Sequence, residues 1–157
     1  MGKNFFETNT PQTIKTAIRT SIVLGKTGGA FIPLKRLTKL GLGGKNVSGN
    51  QFISWIHEKD FARAIDFIYQ YKMTDLVNVV SPKPIKNNDF MKKLQKAVGI
   101  SFGLPISKSL LNFDAKIIKT EPELVLKSRN VIPKKLMENG FTFEFSDIEK
   151  TFNNLIH

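Results

Sequence analysis

An α/β fold is what the sequence predicts, because strand-like and helix-like stretches alternate along it. Three observations carry that reading. Ile14 to Thr20 alternates, with Ile14, Thr16 and Ile18 on one face, and leads into the apolar run Ile22-Val23-Leu24. Leu76-Val77-Asn78-Val79-Val80 has the composition of a buried strand. Between them, Phe61, Ala64, Ile65 and Ile68 recur at helical spacing. The 157 residues amount to about one domain, and at 41% apolar with thirteen Phe they hold enough bulk for a core.

Taken in order, Gly25 turns the first strand, and Gly28-Gly29 form a loop. Phe31, Leu34, Leu37 and Thr38 then share a helical face that Gly41 ends. Residues 41–50 hold four glycines and no apolar period, which reads as a loop. Gln51 to Ile56 is a short strand. The helix after it starts near His57–Asp60, where Glu58 and Asp60 suit the positive end of the dipole. Asn87 is placed to cap a helix burying Phe90, Leu94, Ala97 and Val98, with Gly99 as its stop. Ser107 is placed to cap another, carrying Leu110, Leu111 and Ile117-Ile118, and Glu121 and Glu123 read as a solvated helix start. Pro133 to Asn139 is a short helix stopped by Gly140. Phe141, Phe143 and Phe145 alternate like a strand, and Ser146-Asp147-Ile148-Glu149 reads as a capping box with Ile148, Phe152 and Leu155 inward.

Composition narrows the chemistry. There is no cysteine, so disulfides and thiolate metal sites are excluded, which suits a cytoplasmic protein. No run of about 18 uncharged apolar residues exists to cross a membrane, and the first residues lack a secretory pattern. The two histidines, His57 and His157, belong to no metal-ligand cluster. Net charge is +11, but the lysines are scattered in pairs such as Lys92-Lys93 and Lys134-Lys135. That pattern reads as a solvated surface, with nucleic-acid binding as a weaker alternative. Neither glycine cluster matches Gly-x-Gly-x-x-Gly, and no Tyr is followed four residues later by Lys.

One stretch carries a resemblance. Ser54-Trp55-Ile56-His57-Glu58-Lys59-Asp60, preceded by Gly49-Asn50-Gln51, resembles the Ser-Trp-Ile-His-x-x-Asp signature of epimerase family proteins related to nucleoside-diphosphate-sugar epimerases. These are atypical extended short-chain dehydrogenases/reductases. Arg19 to Gly25 with Gly28-Gly29-Ala30, Gly41-Leu42-Gly43-Gly44, Val77 to Pro82, and Arg129-Asn130-Val131-Ile132-Pro133 are similar to further family stretches in the same order. The likeness runs from about Thr13 to the end of the chain.

The resemblance implies the C-terminal part of a Rossmann-like oxidoreductase: a few parallel strands plus a small, mostly helical substrate-side lobe. Residues 1–98 would be the remnant of the sheet, and 99–157 the substrate-side domain. The family's dinucleotide loop and its Tyr-x-x-x-Lys pair are missing from this sequence. The chain is therefore expected to be a shortened chain, a split gene product or a degenerate relative, and inactive alone. NADP or NAD is the cofactor implied for the complete protein, with none expected on this chain by itself. Arg19, Thr20, Ser21 and Ile22 would face that cofactor, with a sheet-end ion pair as the alternative for Arg19. Gln51, Ser54, Trp55 and Arg129 would line the substrate cleft, Arg129 reaching a substrate anion or else bracing its loop. His57 and Asp60 are expected to fix the strand-to-helix turn. The implied partners are a dinucleotide-binding half or a second copy, and a small molecule such as a nucleotide-sugar.

Overall fold

A computed structural model describes residues 3–41, 49–101 and 128–157. The helix expected after Ser107, Glu121 and Glu123 lie outside the described residues. After a short N-terminal helix α1 (Lys3–Glu7) come β1 (Thr16–Thr20), β2 (Ile22–Leu24) and helix α2 (Phe31–Lys39). Strands β3 (Phe52–Ile53) and β4 (Trp55–His57) lead into α3 (Glu58–Gln70). Then follow β5 (Asp75–Val79), β6 (Ile85–Lys86), α4 (Asn87–Ala97), α5 (Lys134–Glu138) and α6 (Ile148–Ile156).

The parallel pairing is where the sequence put it. β1 pairs with β5 in register from Thr16↔Asp75 to Thr20↔Val79, and β2 pairs with β4 from Ile22↔Trp55 to Leu24↔His57. Ser21 interrupts the ladder, so the expected first strand splits and changes partner. The expected strand Gln51 to Ile56 also splits: β3 turns away at Ser54 to pair antiparallel with β6.

Side chains alternate across strands, and here they feed two cores. Trp55, Ile22 and Leu24 join Phe31 of α2, Phe90 and Leu94 of α4, and Ile148, Phe152 and Leu155 of α6. Ile56, Val77 and Val79 join Ala64 and Ile68 of α3, Leu136 of α5 and Phe141. Helices therefore cover the β2–β4 pair from both sides, the usual condition of parallel strands, whereas β5 sends only Val77 and Val79 into a core. Phe152 stands edge-on to Phe90 (5.1 Å, 84°) and stacks over Phe31 (5.9 Å, 17°), so the last helix shares its core with the strands.

Glycine punctuation holds: Gly41, Gly99 and Gly140, just past α2, α4 and α5, all have positive φ. Four expectations are corrected. Asn87 is not a cap but the first helical residue, and its side chain has no hydrogen-bond partner among the described residues; the Gln51 and Gly49 carbonyls accept the N–H groups of Asn87 and Asn88. Asp147, not Ser146, caps α6, accepting from Glu149 and Lys150 N–H. Phe141 to Phe145 forms no strand, because the N–H groups of Glu144 and Phe145 go to the Asp60 carboxylate. Leu76 is not buried but 39% exposed.

Candidate functional site

Two serines hold the junction of the sheet. The Ser21 hydroxyl donates to the Ser54 carbonyl at 2.6 Å. The Ser54 hydroxyl donates to the Arg129 carbonyl at 2.8 Å and accepts from Val131 N–H at 3.0 Å. Arg129 N–H donates to the Phe52 carbonyl at 2.8 Å, and Phe52 N–H donates to the Ser128 hydroxyl at 3.1 Å. A stretch from far along the chain is thereby laid beside residues 52–54. The side chain of Ser54 serves both as donor and acceptor, which is how a buried hydroxyl is satisfied.

Five of the eight residues singled out from the sequence meet at this junction: Ser21, Ile22, Ser54, Trp55 and Arg129. Arg19 and Thr20 precede it on β1 and are exposed. Thr20 Oγ1 donates to the Val79 carbonyl at 3.0 Å. Gln51, Ser54 and Trp55 are buried. Trp55 is 1% exposed and its indole N–H donates to the Lys83 carbonyl at 3.0 Å, so its ring belongs to the core and not to open cleft surface. Arg19 is exposed one residue before the carboxyl end of β1, and ligands of parallel sheets bind at the carboxyl ends of the strands. As a dinucleotide site the group is partial. The Thr20 and Ser21 hydroxyls already have carbonyl partners in the sheet, whereas no contact of the Arg19 side chain is seen among the described residues.

The signature residues His57 and Asp60 do what was expected and more. His57 is fully buried and is the N-cap of α3. Its Nδ1 accepts Lys59 N–H at 3.0 Å, its Nε2 lies 3.0 Å from Asn154 Oδ1, and its ring stacks on Phe145 at 3.8 Å. The cap requires a lone pair on Nδ1, so the ring proton sits on Nε2 and is donated to Asn154. Asp60, also fully buried, accepts from Glu144 N–H (3.0 Å), Phe145 N–H (2.8 Å) and Arg63 Nη1 (2.8 Å). These contacts fasten the C-terminal segment onto the start of α3. Asn154 and the amides of Glu144 and Phe145 had no signal in the sequence, because their partners lie more than 80 residues away.

Burial, chiefly, lowers the His57 pKa from its ordinary 6.5, against the Asn154 hydrogen bond that raises it. The unfolded chain then takes up the proton first as pH falls. Stability is full above about pH 6.5 and declines below it, levelling off once the folded-state value is passed. Urea midpoints from pH 7.5 to 5.5 should fall for the native chain and fall less for His57→Asn, which keeps a capping side chain without the titration. Equal slopes for the two would contradict the assignment.

Residues 118–155 match the family described as Domain of unknown function (DUF1731). The human epimerase family protein SDR39U1 is 26% identical over 145 residues, which is 92% of this chain and 49% of that protein. The epimerase family protein YfhF of Bacillus subtilis is 30% identical over 140 residues, 88% of this chain and 45% of that one. The chain thus spans about half the length of the curated relatives it matches. Among solved structures, the human protein (isoform2) with NADPH superposes with a TM-score of 0.79 at 25% identity, over 91% of this chain and 48% of that chain. The nucleoside-diphosphate sugar epimerase from Corynebacterium glutamicum gives 0.61 at 27% identity, over 87% of this chain and 25% of that chain. In sequence and in fold, the chain is similar to the C-terminal half of these epimerase family proteins.

Proposed function

We propose that this chain is the substrate-side portion of an NAD(P)-dependent, epimerase-like oxidoreductase, and that it works only with a dinucleotide-binding half seated on β1. The carrying observation is the incomplete cover of the β1–β5 pair. β1 pairs with β5 alone among the described residues, and Ile18 (43%) of β1, Leu76 (39%) of β5 and Ile14 (54%), two residues before β1, are exposed. Parallel strands are normally buried on both faces, and an open apolar edge invites another strand. A half of the human relative's kind would supply that strand together with the nucleotide site. Its cofactor would then meet Arg19, Thr20, Ser21 and Ile22, and a small-molecule substrate, such as a nucleotide-sugar, would lie beside the segment joining Gln51, Ser54, Trp55 and Arg129. The lobe formed by residues 99–157 would close over that substrate. The cofactor supplies hydride transfer when bound; this chain's residues orient the reactants and exclude water.

The test uses the Bacillus subtilis relative. Its portion not matched by this chain, expressed alone, should co-purify with the chain and bind NADPH together with it. The chain by itself should bind no NADPH at micromolar concentrations. Micromolar NADPH binding and carbonyl reduction by this chain alone would end the proposal. The same exposed Ile14, Ile18 and Leu76 favour a second reading, self-association as an interaction domain. A strictly monomeric chain in concentrated solution would remove that one.

A further inference from the structure

Asn78, on β5, is the residue whose situation the fold leaves unexplained. Its Oδ1 is shut off from solvent and has no hydrogen-bond partner among the described residues. An unpaired buried acceptor costs roughly 1–3 kcal/mol, so native structures seldom keep one. Its strand neighbour in the register is Arg19. Residues paired in a parallel ladder point to the same face, about 5 Å apart. Val77 and Val79, on either side of Asn78, face the opposite way into the core under α3 and α5. Arg19 and Asn78 therefore share the other face, one residue before the carboxyl end of β1. The Arg19 side chain is exposed and has no partner among the described residues. A donor-rich group with no acceptor thus stands beside an acceptor with no donor.

We propose that Asn78 is a positioning residue for Arg19. The two groups are not bonded in this structure; rotation of the Arg19 side chain over β5 would let the Oδ1 accept the guanidinium Nε–H and fix the plane of that group, so that the two outer nitrogens present a fork to an anionic group at the ends of β1 and β5. A planar fork suits phosphate oxygens two at a time, and less ordering is required if its orientation is already set. This rests on the reading of Arg19 as a cofactor-side contact. It adds the residue that makes such a contact directional, at a position that neither charge nor glycine patterns mark.

Nitrogen-15 spectra of the full chain test the pairing. The Arg19 Nε–H should exchange with water about 10-fold more slowly than that of exposed Arg36 on α2, since it is held in a hydrogen bond of about 1.4 kcal/mol. Asn78→Ala should bring Arg19 to the rate of Arg36, and Asn78→Asp, which keeps an acceptor oxygen, should restore the protection. Inorganic pyrophosphate, as the anionic probe, should shift the Arg19 resonance, with affinity about 5-fold weaker in Asn78→Ala. Equal exchange of Arg19 and Arg36 in the native chain overturns the pairing outright, without recourse to any variant. Slow exchange that depends on Asn78, but without a pyrophosphate shift, supports the pairing and counts instead against the anion contact assigned to Arg19.

Discussion

Asp60→Ala is expected to destabilise the chain by about 3–5 kcal/mol, the cost of breaking a buried charged cluster by removing one partner. The substitution deletes a fully buried carboxylate that receives two backbone N–H groups and one guanidinium. Each orphaned amide then costs roughly 1–3 kcal/mol, and Arg63 retains only Glu144, 3.3 Å away at the surface, as an ion-pair partner. A domain of this size has about 5–15 kcal/mol in all, so the loss is a large share of it. Asp60→Asn keeps an oxygen for one amide and should lose distinctly less. The measurement is the urea midpoint by far-ultraviolet circular dichroism. Hydrogen exchange should show residues 141–157 opening first. If the alanine variant unfolds within about 0.5 kcal/mol of the native chain, as an ordinary surface change would, then Asp60 does not fasten the C-terminal segment.

Trp55→Ala should cost about as much, roughly 3–5 kcal/mol, as removal of large buried aromatics does. The ring is closed to solvent within a core shared by β2, α2, α4 and α6. The cavity left behind would face Phe31, Phe90 and Phe152, which already pack on one another and cannot collapse freely. Trp55→Phe refills most of the space but leaves the Lys83 carbonyl without its indole donor, and should cost about 1–2 kcal/mol. As Trp55 is the sole tryptophan, its emission in the native chain should be blue-shifted and should move red on unfolding. An alanine variant of unchanged stability would mean that the ring serves a ligand and not the core.

The fold was legible where periodicity and punctuation are local. The alternation over Ile14 to Thr20 and the run Leu76 to Val80 identify the parallel pair β1 and β5, and glycines close α2, α4 and α5 where positive φ is needed. Legibility failed where a distant group decides. The Phe141 to Phe145 stretch alternates, yet a carboxylate 84 residues upstream captures its amides, so no ladder forms. Asn87 has the chemistry of a cap, but distant carbonyls of residues 51 and 49 hold its own N–H and that of Asn88, and the helix begins at Asn87 with Lys86 in the cap position. The capping box at Ser146 fails by one position because Asp147, a stronger acceptor, takes the same amides. Of the candidate site, the Ser-Trp-Ile-His-x-x-Asp stretch signalled the family and its turn. It did not signal that Ser54 would clasp Arg129 and Val131, since hydroxyl pairing carries no periodic signature.

The clasp of Asp60 on Glu144 and Phe145 has a bearing on how this polypeptide is born. A ribosome delivers residues in order, so the carboxylate of Asp60 and its ion-pair partner Arg63 emerge long before the two amides that donate to it, which follow 84 and 85 positions later. Until then the buried carboxylate lacks two of its donors and the His57 ring lacks the Phe145 ring that stacks on it. Long-range closures of this kind come late and slowly. The nascent chain is therefore most exposed to proteases and aggregation in the interval before α6 clears the exit tunnel, and loss of α6, which shares its core with β2, β4, α2 and α4, should forfeit the whole fold of the described residues.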